Sequence, residues 1–195
     1  VVLTPFYDKV KSIQARTAVR RVIATGIKEY LPPLLRWLFT LLKEKKEGHR
    51  IRLQPGDLWW RDLMAGHAHA PRPAAPPAPA DPAILLFSGG TTGTPKAALG
   101  THQALLMSAM QLHAYGRTAL VDWDDIITLV MPMFHVYGNM ALNTSLVARW
   151  PMAVVPNPRD IDDLVNTIIK VRPSVLHGVP TLFIALLNHP KVKAG

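Results

Sequence analysis

The chain has 195 residues, 49% hydrophobic and 18% charged, a balance that suits a folded globular protein and excludes a disordered tail. Its 22 Lys and Arg against 13 Asp and Glu give a formal net charge of +9, and the lack of cysteine excludes disulfides and thiolate metal sites. No uninterrupted apolar run approaches the length of a membrane span.

Most of the early charge is positive: Lys9, Lys11, Arg16, Arg20, Arg21, Lys28, Arg36, Lys43, Lys45, Lys46, Arg50 and Arg52 all precede residue 53. Such a surface attracts nucleic acid, anionic lipid or anionic small molecules. No helix-turn-helix, zinc or RRM pattern accompanies it, so no nucleic-acid partner is expected. Val22–Thr25 reads as a strand ending in a turn at Gly26, and a helix is predicted from about Pro33 to Lys46. Within it, the run Leu34 to Leu42 followed by Lys43-Glu44-Lys45-Lys46 has two readings. Residues 31–46 could touch a membrane surface, or the apolar side could pack on the protein with the cations in water. Packing is the favoured reading, because membrane contact needs a free apolar face.

Trp59-Trp60-Arg61 is expected to form a small hydrophobic patch rather than a base-stacking platform. His67 and His69 lack a third ligand at suitable spacing, so no metal site is expected there. Residues 70–82 contain six prolines, which supply no ladder or helix donors, and read as an extended connector. Three parts follow: residues 1–69 as a partial α/β subdomain with a basic amphipathic segment, the connector 70–82, and an α/β subdomain over 83–195.

That last part alternates strand and helix. Ala83–Phe87 is a predicted strand, with Ala97-Ala98-Leu99 as a hairpin partner. Thr101 caps a predicted helix that buries Leu105, Leu106, Ala109 and Leu112. Ile126–Met131 reads as a covered parallel strand, Gly138–Ala148 as a helix and Met152–Val155 as a strand. Asp160 caps a helix with Ile161, Leu164, Val165, Ile168 and Ile169 on one stripe, ended by Pro173. Ser174–Leu176 is the next strand, and Pro180 opens the next helix. Repeated βα units predict an α/β fold with a covered, mostly parallel sheet.

Between the first two strands of this part lies Ser88-Gly89-Gly90-Thr91-Thr92-Gly93-Thr94-Pro95-Lys96. Its glycines permit tight turning and exposed N–H groups; Ser88, Thr91, Thr92 and Thr94 add hydroxyls and Lys96 a cation. That set suits a polyphosphate. The spacing matches neither a Walker A loop nor a dinucleotide fingerprint, and no G-x-S-x-G elbow surrounds Ser88. A ligand-free Gly/Thr turn is the plainer alternative.

The string Ser88–Lys96, closed by Thr101-His102, resembles the phosphate loop of the adenylate-forming (AMP-binding) superfamily, with Ala97 where that family usually has glycine. Met131-Pro132-Met133-Phe134-His135-Val136-Tyr137-Gly138 resembles its next motif. Arg172–Thr181 resembles the strand and turn bordering the acyl pocket, and Tyr30-Leu31-Pro32-Pro33 is similar to the bacterial long-chain fatty acid–CoA ligase branch. The resemblance implies activation of a fatty acid with ATP to acyl-AMP and pyrophosphate, then transfer to coenzyme A, with Mg²⁺ as cofactor. It implies phosphate contacts from Ser88, Gly89, Gly90, Thr91, Thr92, Gly93, Thr94 and Lys96. It places His135, Val136, Tyr137, Gly138, Gly178, Val179 and Pro180 around the acyl and nucleotide pocket. For His135 a packed core histidine, and for Gly178–Pro180 a plain tight turn, remain as alternatives.

The adenine- and Mg²⁺-binding motif, the ribose motif and the C-terminal catalytic lysine of that family find no counterpart in these residues. The chain is therefore expected to be a fragment of the N-terminal domain, inactive alone. A cytoplasmic location is expected, with peripheral contact at the inner face of the membrane left as the alternative to packing of residues 31–46. An aryl-CoA or luciferase-like ligase, or a non-catalytic nucleotide- or lipid-binding remnant, remains open as an alternative.

Overall fold

In the computed structural model, residues 1–72, 75–88 and 93–193 are described, Ser88 by its backbone. Two units divide the chain, Val1–Ala74 and Ala75–Gly195.

The first unit holds three short parallel strands in the order β1 (Val2–Leu3), β2 (Ile23–Thr25) and β3 (Leu58–Trp59). The α-helices α1 (Tyr7–Gln14), α2 (Pro33–Leu42) and α3 (Trp60–Gly66) accompany them. Tyr7, Val22 and Ala24 form the core, with Val2, Val10, Ile51, Leu53 and Trp59 around them. So small a core is closed by a polar knot. Asp57 accepts from the Tyr7 hydroxyl at 2.6 Å and from Val22 N–H at 3.0 Å, and pairs with Lys11 Nζ at 2.8 Å. Tyr7 in turn accepts from Gln54 N–H at 2.8 Å. Burial alone would raise the Asp57 pKa, but the bonds from Lys11, Tyr7 and Val22 outweigh it and hold the carboxyl below its ordinary range.

Helix α2 stops at Leu42 rather than running to Lys46. Lys43 is its C-cap, with φ widened to −119°, and Glu44 turns inward, where it is buried and paired with Lys28. That buried pair competes with continuation of the helix. Trp59 lies in β3 with the Arg61 guanidinium 5.7 Å from its ring centroid, a cation–π contact within this unit.

In the second unit, β4 (Pro82–Ser88) and β5 (Lys96–Thr101) form an antiparallel hairpin in which Phe87 faces Ala97 and Ser88 faces Lys96. Thr101 accepts from Ala104 N–H at 3.1 Å and so caps α4 (His102–Gly116), as the sequence predicts. The predicted burial of this helix is observed in part: Ala109 is buried and Leu105 half-buried, whereas Leu106 and Leu112 are exposed. Close packing against α5 (Val136–Ala148) takes place over the small residue, leaving larger neighbours outside.

A parallel sheet follows in the order β7-β6-β8, formed by β6 (Ile127–Leu129), β7 (Met152–Val154) and β8 (Val175–Leu176). Helices α6 (Ile161–Val171), α7 (Pro180–Asn188) and α8 (Pro190–Lys193) complete the unit. Asp160 accepts from Asp163 N–H at 3.0 Å at the start of α6. Val130, Val155, Leu164, Val165, Leu182 and Leu186 form one core; Ile127, Ala148 and Trp150 form another. The chain is thus an α/β protein whose helices pack on parallel strands.

Candidate functional site

The β4–β5 hairpin fixes both ends of the candidate phosphate loop. Because Ser88 and Lys96 are cross-strand partners, the seven residues between them leave and re-enter at one point. Gly93 lies at φ 131° with nothing near its missing Cβ, so it is required for its backbone conformation, not for want of space. Thr94 and Lys96 are exposed. Gly89, Gly90, Thr91 and Thr92 lie outside the described residues.

The second motif follows β6. His135 caps α5: its Nδ1 accepts from Tyr137 N–H at 3.3 Å, and its backbone N–H donates to the Pro132 carbonyl at 3.0 Å. An Nδ1 used as acceptor leaves the proton of the neutral ring on Nε2, as a donor. The core-histidine alternative finds no packing around it, since His135 is exposed and its neighbours Phe134 and Val136 are 84% and 51% exposed. Gly138 has a different duty from Gly93. A Cβ there would stand 2.3 Å from the Pro132 carbonyl oxygen and 2.5 Å from that of Met131, so only glycine lets α5 start this close to the preceding turn.

The third segment leaves the neighbouring strand. β6 and β8 are parallel and adjacent, with Ile127 opposite Val175 and Thr128 opposite Leu176. His135–Gly138 and His177–Pro180 therefore emerge at the same, carboxyl end of the sheet, where open α/β sheets place ligands. The two segments touch: the Tyr137 and His177 rings meet edge to face with centroids 5.9 Å apart. Val179 precedes α7 and Pro180 is its first residue. A Cβ at Gly178 would stand 3.0 Å from the side chains of both Leu182 and Phe183, so part of the role of this glycine is packing. A small cavity of about 150 Å³ joins Leu86 of β4 to Ala109 of α4 and to Val136 and Asn139 of α5. The hairpin and the start of α5 thus share one neighbourhood.

Behind Tyr137 and His177 lies a larger, mainly apolar cavity of about 430 Å³, bounded by Leu112, Ile127, Ala141, Trp150, Val175 and His177. Thr144 Oγ1, Trp150 Nε1 and both ring nitrogens of His177 are buried without a protein partner, and all three residues line this cavity. Burial pushes the His177 pKa down and keeps the ring neutral. Sequence reasoning places His177 inside its third motif without giving it a role. Its position between a strand end and a tight glycine turn is the only local signal; the contact with Tyr137 is set by strand pairing. Among the described residues no group of three or more His, Asp or Glu side chains could hold a metal ion.

Comparison with known proteins gives this geometry a family. A family model described as AMP-binding enzyme matches residues 8–195. The long-chain-fatty-acid–CoA ligase of Bacillus subtilis (strain 168) is 34% identical over 114 residues, covering 58% of this chain and 20% of that protein. The protein of the same name from Escherichia coli O157:H7 is 26% identical over 195 residues, 97% of this chain and 34% of that protein. This chain thus spans a fifth to a third of those relatives. In fold it is similar to the anthranilate CoA ligase AuaEII, with a TM-score of 0.69 at 17% identity, over 99% of this chain and 33% of that one. With the family match extending over nearly all its residues, the chain belongs to the AMP-binding enzymes, a family of adenylate-forming ligases.

Proposed function

We propose that this chain supplies the phosphate-binding and part of the acyl-binding surface of a fatty acid–CoA ligase. In the proposed reaction a carboxylate oxygen attacks the α-phosphorus of ATP, the bond to the β-phosphate breaks and pyrophosphate leaves. The coenzyme A thiol then attacks the acyl carbon, and AMP departs. Negative charge grows on pyrophosphate as it separates, so preorganised donors aimed at it favour the first step; one such donor is worth about 100- to 1000-fold in rate. Residues 88–94 supply N–H and hydroxyl donors and Lys96 a cation. His135 offers its Nε2–H at the carboxyl end of the sheet. Mg²⁺, when present with ATP, neutralises phosphate charge; no ligand for it is assigned to this chain. Use of ATP and coenzyme A makes a cytoplasmic location part of the proposal.

The observation that carries this reading is the hairpin closed by Ser88 and Lys96, which holds the loop by its two ends and presents Gly93 in a left-handed conformation. The apolar cavity behind Tyr137 and His177 supports an acyl substrate. Its unpartnered polar atoms at Thr144, Trp150 and His177 favour, as a second reading, an aryl acid with hydrogen-bonding groups. Calorimetric titration of the chain with ATP, pyrophosphate and adenosine tests the loop. Lys96→Ala should weaken ATP and pyrophosphate about ten-fold and leave adenosine unchanged; equal ATP affinity in both proteins rejects the assignment. Competition by palmitate or by benzoate separates the acyl from the aryl reading.

A further inference from the structure

The cavity behind Tyr137 and His177 is bordered by polar atoms that its apolar walls do not call for. It follows the sheet from end to end. His177 comes after β8 at the carboxyl end, whereas Trp150 stands before β7 at the amino end, where the Pro151 carbonyl accepts from Ile127 N–H at 2.9 Å. Tyr137, Ala141 and Thr144 fall at i, i+4 and i+7 on α5, so Thr144 lies two turns from Tyr137, about 10 Å along the helix. Thr144 and Trp150 are 2% and 6% exposed, and neither Thr144 Oγ1 nor Trp150 Nε1 has a partner among the described residues. Ser145 shows what a helix ordinarily does with a buried hydroxyl: its Oγ donates to the Ala141 carbonyl one turn back, at 2.9 Å. Thr144 makes no such bond. Polar groups left unpaired in an apolar surround are costly, and valine and phenylalanine would fill the same space without that cost. These two atoms are therefore accounted for by an occupant, not by the fold.

We propose that the substrate of this cavity is an aliphatic acid with a hydroxyl on its chain, held at the inner end by Thr144 and Trp150. The proposal rests on the ligase reading and names its substrate class. Leu112, Leu120, Ile127, Ala141 and Val175 supply aliphatic walls for the body of the chain. Charge sets the orientation. No Asp, Glu, Lys or Arg is among the described residues that line the cavity, so a carboxylate inside it would find no countercharge. The carboxylate stays at the carboxyl end of the sheet, beside the Nε2–H of His135, and the chain lies along α5. About two helical turns in, it reaches Trp150 Nε1–H, which only donates, and Thr144 Oγ1, which donates and accepts. A hydroxyl offers the matching acceptor and donor. A plain alkyl chain satisfies neither.

Calorimetric titration of the chain with decanoate and with ω-hydroxydecanoate tests this, since the two acids differ only in the terminal hydroxyl. The hydroxy acid should bind about ten-fold more tightly, the worth of one or two hydrogen bonds made out of water. Thr144→Val and Trp150→Phe keep the shape of each side chain and delete its polar atom. Each should cost the hydroxy acid about three-fold, and together they should bring the two acids to equal affinity. If the double variant does not fold by circular dichroism, the single variants give the same reading. Equal affinity of the parent chain for both acids overturns the inference, because these atoms then gain nothing from the hydroxyl, and leaves the ligase reading standing. A preference that survives undiminished in the variants overturns it too. Should neither acid bind, the inference and the acyl half of the ligase reading fall together, while the ATP and pyrophosphate titration still judges the loop.

Discussion

Helices α6 and α2 carry comparable apolar stripes and turn them in opposite directions. In α6, Leu164 and Val165 are buried in the core with Val130 and Val155, and Asp162 and Asp163 face outward near the start of the helix, where their charge suits its dipole. In α2 the exposed Arg36 bonds three backbone carbonyls of the preceding turn, and the leucines are left outside. Hydrophobic periodicity identifies a helix and its apolar face in both. It does not say which face meets the protein. In α2 the Arg36 guanidinium, bonded to the carbonyls of Lys28, Glu29 and Leu31, fixes which side lies against that turn.

The largest break in the comparison should come from emptying the inward stripe. Leu164→Ala removes a fully buried side chain and should cost about 2–5 kcal/mol, read from urea or guanidinium unfolding. A loss below about 1 kcal/mol would mean that α6 is not held by this core.

The same unit should also answer to pH, because His177 is half-buried with both ring nitrogens out of solvent, close to that core. Its folded pKa lies below the ordinary value of 6.5, so the unfolded chain binds its proton first. Stability should be level above about pH 6.5 and fall as the pH drops through the lowered value, by at most about 1.4 kcal/mol per pH unit. His177→Gln should flatten that part of the profile; an unchanged slope between about pH 7 and pH 5 would show that burial of this ring is not linked to folding. Asp57 has the same sign in the first unit, with its contribution present above about pH 4 and lost in stronger acid, 3.8 being the ordinary carboxyl value. The two windows are separate.

Next in size is the cap. Asp160→Ala deprives Asp163 N–H of its acceptor and should cost about 1 kcal/mol, whereas α2, which has no side-chain cap at Pro32, offers no equivalent to remove. Retained stability would show that solvent replaces the carboxylate without loss.

What could be read from sequence was local. The β4–β5 hairpin follows from an apolar run on each side of a glycine-rich turn, the starts of α4 and α6 from Thr101 and Asp160, and the α6 stripe from its spacing. What escaped depended on partners far along the chain. Tyr7 and Asp57 are 50 residues apart, and Tyr137 meets His177 through the pairing of two strands. The early end of α2 depends on Glu44 reaching Lys28, and the exposure of Leu106 and Leu112 on how closely α4 meets α5 over Ala109. At the loop, motif and spacing defined the residues, while the fixed base at Ser88 and Lys96 required the strand register.

The smallest expected effect is the most discriminating for α2. If its leucines contribute nothing to the folded chain, Leu34→Gln with Leu41→Gln should shift unfolding stability by less than about 0.5 kcal/mol, as exposed substitutions do. A pair of leucines facing a core would together cost several times the loss at Leu164, since each removes buried apolar area and also inserts an amide without a partner. The two outcomes differ enough to be separated by one denaturation curve per protein. A cost above about 2 kcal/mol would mean that α2 packs inward after all. A cost near zero establishes that the stripe is not stabilised by burial, which leaves its leucines available to something other than this chain's own core.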